Sequence, residues 1–469
     1  MHKHSMHCFE GEVLVSKLRL MARGDYVGLR ATPIDIRISP AELFSAISEH
    51  SDISFLFESS EGDEKRARFS FLGFSPSKEI TLRNDIFEGN GEQFDAADPL
   101  QALKNELPEN NVRREGLVGG AVGYFSFDYI RYIERLGKVK DGIDFPDFQF
   151  GIFDDAVVFD HIANSIKYIY HGESRLREIL DFVRDSGSSP APVGIYGMKC
   201  DTSRERFCEK VEKAKEYIRA GETFQTVLSK RYEAGFSGSL VSFYRNLKSM
   251  NPSPYMFHMK FGERQIVGSS PENLVRIEGR TIASYATLAG TRPRGKTPEE
   301  DKRLETELLN DEKERAEHTM LVDLTRNDIG KVAVIGTVKV PELMRVTKYS
   351  HVQHISSLVT GRLRNDKDAF DAFEAIFPAG TVSGAPKIRA IEIIDELENS
   401  RRGPYAGAVG YFSSNGNADF AIGIRTLFAN KHRAYIQSGA GIVYDSIPER
   451  EFQETEQKAS VLIEAMGGN

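Results

Sequence analysis

One hexapeptide occurs twice in this chain of 469 residues, and the repeat strongly constrains the fold. The segment Gly120-Ala-Val-Gly-Tyr-Phe125 returns as Gly407-Ala-Val-Gly-Tyr-Phe412, an offset of 407 − 120 = 287 positions. Valine and aromatic residues favour strands, and the leading glycines suit a turn at the strand entry. The repeat therefore predicts one strand in each of two related halves, against the alternative of a coincidence between common residues.

Strand-like and helical segments alternate along the rest of the chain. Apolar alternation predicts strands at 148–159, 165–170, 265–267, 332–340 and 434–437. Helical periodicity with capping residues predicts helices from Ser203 to Gly221 and at 299–328, 386–398 and 448–466. We expect an α+β fold with extensive antiparallel sheet. A Ser/Pro/Gly cluster at 185–193 separates two predicted regions, 10–185 and 195–469.

Composition excludes several classes of protein. The chain has 61 basic and 69 acidic residues, so its formal net charge of −8 offers no basic excess for nucleic acid or an anionic membrane. No run of about 18 apolar residues and no signal peptide is recognisable, so no membrane segment is expected. Three cysteines without a C-x-x-C pair, Cys8, Cys200 and Cys208, predict no disulfide framework and a cytoplasmic location.

Two predicted helices each carry a pair of glutamates three residues apart. Glu314 and Glu317 share one helix face, and Glu451 and Glu454 share another. Four carboxylates form an all-oxygen donor set, which suits a hard ion such as Mg²⁺ that also binds an anionic substrate. The alternative is a pair of solvated faces, on which Glu454 would pair with Lys458 four residues on.

Other segments suggest sites for an anion. The small residues of 380–387 precede a predicted helix with Pro386 in its first turn, where free N–H groups and the helix dipole favour a carboxylate. Gly439-Ala440-Gly441 follows a predicted strand and would allow close approach to the backbone. An ordinary helix cap and a tight turn explain these segments equally well. Arg425 stands in an apolar run, where it either extends to the surface or pairs with a carboxylate.

Seven short motifs follow one another along the chain: PE at 271–272, LAGTRPRG at 288–295, DEKERAEH at 311–318, LVDLTRND at 321–328, GTVSGAPK at 380–387, RGPYAGAVGY at 402–411 and GAGIV at 439–443. These segments together resemble the chorismate-utilising enzymes, and their order and spacing are similar to those of the large subunit, component I, of anthranilate synthase. The resemblance is dense from about 204 to 465 and looser from about 50 to 160. It implies two orthogonally packed antiparallel sheets, flanked by helices and built from repeated units.

The resemblance also implies roles for the candidate residues. Glu314 and Glu451 would bind Mg²⁺ directly and Glu317 and Glu454 would hold its waters, with the ring carboxylate of chorismate on the ion. Three residues are implied in catalysis: Glu272 as the acid that protonates the departing C4 hydroxyl, His354 in pyruvate elimination and Thr381 at the ring end. The implied substrate-binding set is Gln225, Ala289, Gly290, Thr291, Tyr405, Arg425, Gly439, Ala440 and Gly441.

The nucleophile is expected to be ammonia. Relatives that add water carry a lysine at the position matched by Gln225, and relatives with a lysine nucleophile carry it at the position matched by Ala289. This chain has neither lysine, which favours direct addition of ammonia and release of anthranilate and pyruvate. No cysteine stands in a G-x-C-x-G-like elbow, so a separate glutamine amidotransferase subunit is expected, in a hetero-oligomer.

A second site is implied in the N-terminal region. Leu56-Phe-Glu-Ser59 resembles a segment that, with residues 251–257, binds tryptophan as feedback inhibitor. The implied residues are Glu58, Ser59, Pro254, Tyr255 and Met256; the alternative is a core strand and a proline-stiffened loop. Two rival functions remain: aminodeoxychorismate or aminodeoxyisochorismate synthesis, and a catalytically silent amino-acid sensor.

Overall fold

The computed structural model describes residues 29–59, 68–89, 91–108, 112, 114–134, 136, 140, 142–186, 189–285, 289–348 and 352–467. Cys8 and residues 10–28 of the predicted N-terminal region lie outside this part of the chain. Leu288, the first residue of one motif, also lies outside it.

The described residues form two twelve-stranded sheets in which neighbouring strands pair antiparallel. The strands are β1 (Leu29–Ile34), β2 (Ile53–Glu58), β3 (Phe69–Phe74), β4 (Lys78–Arg83), β5 (Ile86–Gly89), β6 (Glu92–Asp95), β7 (Gly120–Phe125), β8 (Phe148–Phe153), β9 (Asp155–Asp160), β10 (Ser165–His171), β11 (Gly194–Cys200), β12 (Gln225–Ser237), β13 (Tyr255–Phe261), β14 (Arg264–Ser270), β15 (Asn273–Glu278), β16 (Thr281–Ser284), β17 (Ala289–Pro293), β18 (Lys339–Lys348), β19 (Val352–Arg362), β20 (Gly384–Ala385), β21 (Ala408–Ser413), β22 (Ala418–Ile422), β23 (Thr426–Asn430) and β24 (Arg433–Ile442).

Helices flank the sheets. They are α1 (Pro40–His50), α2 (Pro99–Asn105), α3 (Ile130–Ile133), α4 (Leu176–Asp185), α5 (Arg204–Arg219), α6 (Leu240–Met250), α7 (Pro298–Asn310), α8 (Glu312–Gly330), α9 (Ala369–Ile376), α10 (Gly380–Ser383), α11 (Lys387–Leu397) and α12 (Pro448–Ala465). The predicted α+β class, with antiparallel sheets and flanking helices, is confirmed.

Both sheets take strands from both ends of the chain. The first sheet has the order β1-β10-β9-β3-β2-β13-β14-β23-β24-β12-β11, with β20 also on β12. The second has the order β17-β19-β16-β15-β22-β21-β7-β8-β4-β5-β6, with β18 also on β19. The regions before and after 185–193 therefore meet inside each sheet, at β2–β13 in the first and at β7–β21 in the second.

The two copies of the repeated hexapeptide are hydrogen-bonded neighbours. Strands β7 and β21 pair antiparallel with Gly123 opposite Gly410, so each copy runs past the other about a common centre. A methyl group on Gly123 would lie 2.0 Å from the carbonyl oxygen of Gln149, and one on Gly410 would lie 2.0 Å from that of Asp419. Glycine is thus required at both central positions by the close approach of a neighbouring strand.

The largest apolar core lies between the sheets. It joins Phe55 and Phe257 of the first sheet to Tyr124 and Phe420 of the second, all nearly inaccessible to solvent. A second core lies on the other face of the first sheet, under α1, α4, α6 and α12. A smaller one joins α5 and α11 to β12 and β24. This last cluster lies directly behind the strands that carry the candidate site.

Several element predictions hold, and others need correction. The helix capped by Ser203 is confirmed as α5. The helix predicted at 299–328 is two helices, because the Asp311 carboxylate accepts hydrogen bonds from the next turn and begins α8. The strand predicted at 332–340 begins only at Lys339, since a turn with Gly336 at φ 80° precedes it. Gly439 and Gly441 lie within β24 and not after it.

Candidate active site

Two helices bring the four candidate metal-binding glutamates into electrostatic contact. Helix α8 carries Glu314 and Glu317, and α12 carries Glu451 and Glu454. Burial raises the pKa of Glu314, and the negative charge of Glu317 adds to the effect. Burial likewise raises the pKa of Glu317 and of Glu451, and Glu454 raises both further. Between the helices the repulsion joins Glu317 to Glu454, so the two pairs of carboxylates face one site.

The residues present fit a divalent cation. The three half-buried carboxylates keep raised pKa values although Arg292, Lys313 and Lys458 lie close enough to lower them. Carboxylate oxygens are the donors that Mg²⁺ prefers. Within the described part of the chain, no three His, Cys, Asp or Glu side chains are grouped closely enough to hold an ion as they stand. Glu454 is the most open member and accepts a 2.6 Å hydrogen bond from Lys458, as predicted for a helix-face pair.

Gln225 connects the glutamates to the central strands. It begins β12, and its Nε2 donates a 2.7 Å hydrogen bond to Glu317 Oε1. Its Oε1 is buried and has no hydrogen-bond partner among the described residues. A methyl group on Gly441 would lie 2.6 Å from Gln225 Nε2, so this glycine leaves the space that the amide occupies. The structure therefore brings Gln225, Gly441 and Glu317 together.

Gly439 lies next to a second polar group. A methyl group on Gly439 would lie 2.8 Å from the hydroxyl of Tyr405. The Tyr405 side chain is buried. The Gly439 carbonyl accepts a 2.9 Å hydrogen bond from Lys458, which ties α12 to β24. Ala440, between the two glycines, turns its side chain into the small apolar core with Leu228. Only the backbone of Ala440 can therefore belong to the site.

Gly290 lies beside Glu314, and His354 lies beside Gly290. Gly290 has φ 70°, and a methyl group on it would lie 3.0 Å from Glu314 Oε2. The Gly290 carbonyl lies 3.1 Å from His354 Nδ1. Burial, with a smaller contribution from the nearby Arg425 charge, lowers the pKa of His354 to about 4. The imidazole is therefore neutral at pH 7, and because a carbonyl can only accept, Nδ1 carries the proton and Nε2 the lone pair.

Strand β17 supplies the neighbouring backbone. Ala289 pairs with Ile355 and Thr291 with His354 in the register of β17 and β19. The side chains of Ala289 and Thr291 lie outside what the structure describes. Arg425 occupies a left-handed position, φ 48°, in the connection between β22 and β23. The apolar run that contains Arg425 is therefore interrupted between the two strands.

Glu272 and Thr381 line one small cavity. Glu272 precedes β15 and is 6% exposed, and Thr381 belongs to α10. Asp328 of α8 lines the same cavity. The hydroxyl of Thr381 is buried and has no hydrogen-bond partner among the described residues. An acid and a free hydroxyl thus face the same enclosed space.

The five residues of the implied inhibitor site surround a different cavity between the sheets. Its empty volume, including solvent at the mouth, is about 1140 Å³. The lining includes Glu58, Ser59, Pro254, Tyr255 and Met256. The hydroxyl of Ser59 is buried and has no hydrogen-bond partner among the described residues.

Glu58 already has protein partners at this cavity. Its carboxylate accepts 2.7 Å hydrogen bonds from Tyr244 and from Lys248 of α6. Tyr255 instead contacts groups on the opposite wall, where Asn273 donates to its hydroxyl at 2.9 Å and Asp419 Oδ1 lies 3.1 Å away. Burial raises the pKa of Asp419 to about 6.

The sequence did not predict two further features, one ion pair and one residue that lines both cavities. Lys387 and Asp328, each in a recognised motif, form a 2.6 Å buried ion pair between α11 and α8. Asn273, next to Glu272, lines both the small cavity and the larger one. Both motifs were visible in the sequence, but nothing in their spacing signals which residues meet across 59 positions.

Comparison with known proteins identifies the family of this chain. A sequence profile of the chorismate binding enzyme family matches residues 52–464. The chain belongs to that family.

Its relatives point to one group within the family. Anthranilate synthase component 1 from Methanothermobacter thermautotrophicus is 48% identical, with 91% of this chain and 92% of the relative covered. The component 1 from Thermus thermophilus is 44% identical, with 91% and 95% covered. The predicted resemblance to anthranilate synthase component I is confirmed.

Solved structures share the fold. Anthranilate synthase component I from Streptococcus pneumoniae TIGR4 is 36% identical and superposes with a TM-score of 0.77 over 98% of this chain and 100% of that one. The menaquinone-specific isochorismate synthase from Escherichia coli, 20% identical, superposes with a TM-score of 0.73 over 97% and 99%. The second likeness shows the fold alone. Within the described residues, no helix combines the length and apolar character needed to span a bilayer.

Proposed function

We propose that this chain converts chorismate and ammonia to anthranilate, pyruvate and water. The observation that carries the proposal is that glutamates from α8 and α12 meet at one site. Gln225 and Gly441 lie beside Glu317, and Gly290 lies beside Glu314. The relatives of this chain are named anthranilate synthase component 1. Overall, the C4 hydroxyl leaves with one proton as water, ammonia supplies the ring amine, and the enolpyruvyl group leaves as pyruvate.

The residues divide into three tasks. Glu272 donates the proton that lets the C4 hydroxyl leave as water, because hydroxide is a poor leaving group. Arg425, Tyr405 and the backbone at Gly441 bind the enolpyruvyl carboxylate. His354 accepts a proton at Nε2 during pyruvate elimination, since its Nδ1 proton is held by the Gly290 carbonyl.

Mg²⁺ is the proposed cofactor. Glu314, Glu317, Glu451 and Glu454 would hold it, and when bound it would neutralise the ring carboxylate of chorismate. A neutral donor beside this set is Gln225, whose amide orients Glu317.

Ammonia is the proposed nucleophile because an uncharged amide at Gln225 and a methyl side chain at Ala289 offer no amine. A glutamine amidotransferase subunit, component II, is the proposed source of ammonia and makes the working enzyme a hetero-oligomer in the cytoplasm.

Tryptophan is the proposed inhibitor at the cavity lined by Ser59, Pro254 and Tyr255. Its aromatic walls and the free hydroxyl of Ser59 suit an indole amino acid.

The test is direct. Purified protein is incubated with chorismate, MgCl₂ and an ammonium salt, and anthranilate fluorescence and pyruvate are measured. We expect equal amounts of both products, and no product with glutamine in place of ammonium. A 4-amino product, an aminated product that retains its pyruvyl group, or no product would refute the proposal.

A matched pair of variants assigns the activity to this site. Glu317→Gln removes one carboxylate charge with little change of shape, whereas Glu312→Gln makes the same change at an exposed position of the same helix. We expect E317Q to lose roughly 100-fold or more in kcat/KM, as for an essential charged group, and E312Q to stay within about twofold.

A further inference from the structure

One buried arginine holds two segments of the candidate site from behind. Arg402 is 2% exposed. Its guanidinium donates 2.7 Å hydrogen bonds to the carbonyls of Val227 and Val382. Val227 is the third residue of β12, whose first residue is Gln225, and Val382 directly follows Thr381. Arg402 therefore holds the backbone next to Thr381 and, on β12, two residues from Gln225.

Glu398 orients this arginine and makes a second contact with β12, at Ser229, which in turn contacts β24. Its carboxylate accepts two hydrogen bonds from Arg402, one of 2.9 Å at Oε2 and one of 2.7 Å at Oε1. The same Oε1 accepts 2.8 Å bonds from the backbone N–H and the hydroxyl of Ser229. Ser229 lies opposite Gly439 in the register of β12 and β24, and Gln437 donates to its hydroxyl at 2.8 Å.

Stability alone is a weak reason for such a pair. Two buried charges lose their hydration, and replacing a buried ion pair by apolar residues is often neutral or stabilising. The planar guanidinium offers donors in fixed directions, which a lysine cannot reproduce. Here the guanidinium donates to carbonyls in two site segments and to the carboxylate of Glu398.

We propose that Arg402 and Glu398 are positioning residues for the proposed reaction: they hold β12, α10 and β24 in the register that places Gln225, Thr381 and Gly439 around one substrate. The inference rests on the proposed function. Neither side chain contacts the reacting atoms, so the pair acts through the backbone that it holds.

Arg401 provides a matched control. It is the preceding residue, its side chain is 9% exposed, and it pairs with Asp147 at 2.7 Å and with Asp128 at 3.4 Å. Both partners belong to the N-terminal region and neither lies in the candidate site. Arg401→Lys therefore disturbs a buried ion pair of similar kind, made to Asp128 and Asp147 and not to the carbonyls of Val227 and Val382.

The experiment compares R402K, R401K and wild type, with ammonium as nitrogen source, well below each variant's melting temperature. We expect R402K to lower kcat roughly tenfold or more, because misplaced reacting groups cost rate steeply, and to change KM for chorismate less. R401K is expected to stay within about threefold in kcat even if it lowers Tm as much.

Each outcome decides the matter. Activity of R402K near that of wild type overturns the proposal, and so does a loss in both variants that follows their Tm. If R402K does not fold, Glu398→Gln is the deciding variant, because the amide keeps the size of the side chain and weakens its hydrogen bonds with Arg402. A kcat loss beyond about threefold at unchanged KM supports the positioning role. No loss of kcat overturns it. An inactive wild type would instead refute the proposed function, and the inference with it.

Discussion

Gly441→Ala tests whether the space beside Gln225 is needed for activity. The added methyl carbon would lie 2.6 Å from Gln225 Nε2, whereas ordinary contact begins at 3.4 Å, so the amide must move by 3.4 − 2.6 = 0.8 Å. Such a displacement can stretch the 2.7 Å bond to Glu317 Oε1 toward 3.5 Å. At that length little of the hydrogen bond remains.

The expected cost follows from the bond that is lost. A hydrogen bond to a charged group contributes about 1.5–3 kcal/mol, which corresponds to roughly ten- to 150-fold in kcat/KM. Fold stability should change little, because Gly441 lies in a strand outside the left-handed region and alanine is tolerated there. Gly194→Ala is the control, since its methyl would be 4.0 Å from the nearest atom, Ser237 Oγ.

A double-mutant cycle tells the indirect effect from a direct one. Anthranilate production is measured for G441A, for Q225A and for the double variant. If the methyl acts by displacing the amide, adding G441A to Q225A should cost less than about twofold. Full additivity of the two losses would refute the reasoning and place the methyl against the substrate itself.

Three further predictions follow from the same geometry. Because the folded chain raises the pKa of Glu314, Glu317 and Glu451, it holds protons that the unfolded chain releases; the metal-free protein should therefore lose stability as pH rises through those values. Melting curves at pH 5 to 8 should show Mg²⁺ raising Tm most at high pH and E317Q exceeding metal-free wild type there; the opposite trend would contradict the charge repulsion. Since the pKa of His354 is about 4, H354N should lower kcat without removing any ionisation between pH 6 and 8 from the rate profile. The chain contains no tryptophan, so the fluorescence emission of added tryptophan reports its binding. S59A should weaken tryptophan binding roughly three- to tenfold, with S48A on α1 as the control. Unchanged binding in S59A would remove the hydroxyl from the inhibitor site.

The sequence predicted the elements whose signals are local. Ser203 caps α5 as expected, and the repeated hexapeptide is a strand in both copies. Local signals failed where they fit two structures equally well. The apolar residues at 332–340 alternate as in a strand, yet Ile335 is 98% exposed in a turn. Asp311 interrupts a long charged helical pattern because it makes cap bonds that periodicity does not register.

The site was predictable only in part, and for the same reason. Helical spacing alone placed Glu314 beside Glu317, but it could not tell a solvated face from a site. The family resemblance supplied that choice, and the raised pKa values are consistent with it. No local pattern could show that Gln225 reaches Glu317, 92 positions away, or that Arg402 holds the carbonyl of Val227. Such contacts depend on the sheet order.

The pairing of β7 with β21 has a consequence for how the chain is made. The two strands are 287 positions apart, so at about 5–20 residues per second β7 leaves the ribosome roughly 15–60 s before its partner exists. During that interval the apolar edge of β7 lacks the strand that covers it in the finished sheet, and β2 likewise waits for β13. The N-terminal half therefore exposes unpaired strand edges during synthesis, the condition that favours aggregation of a nascent chain.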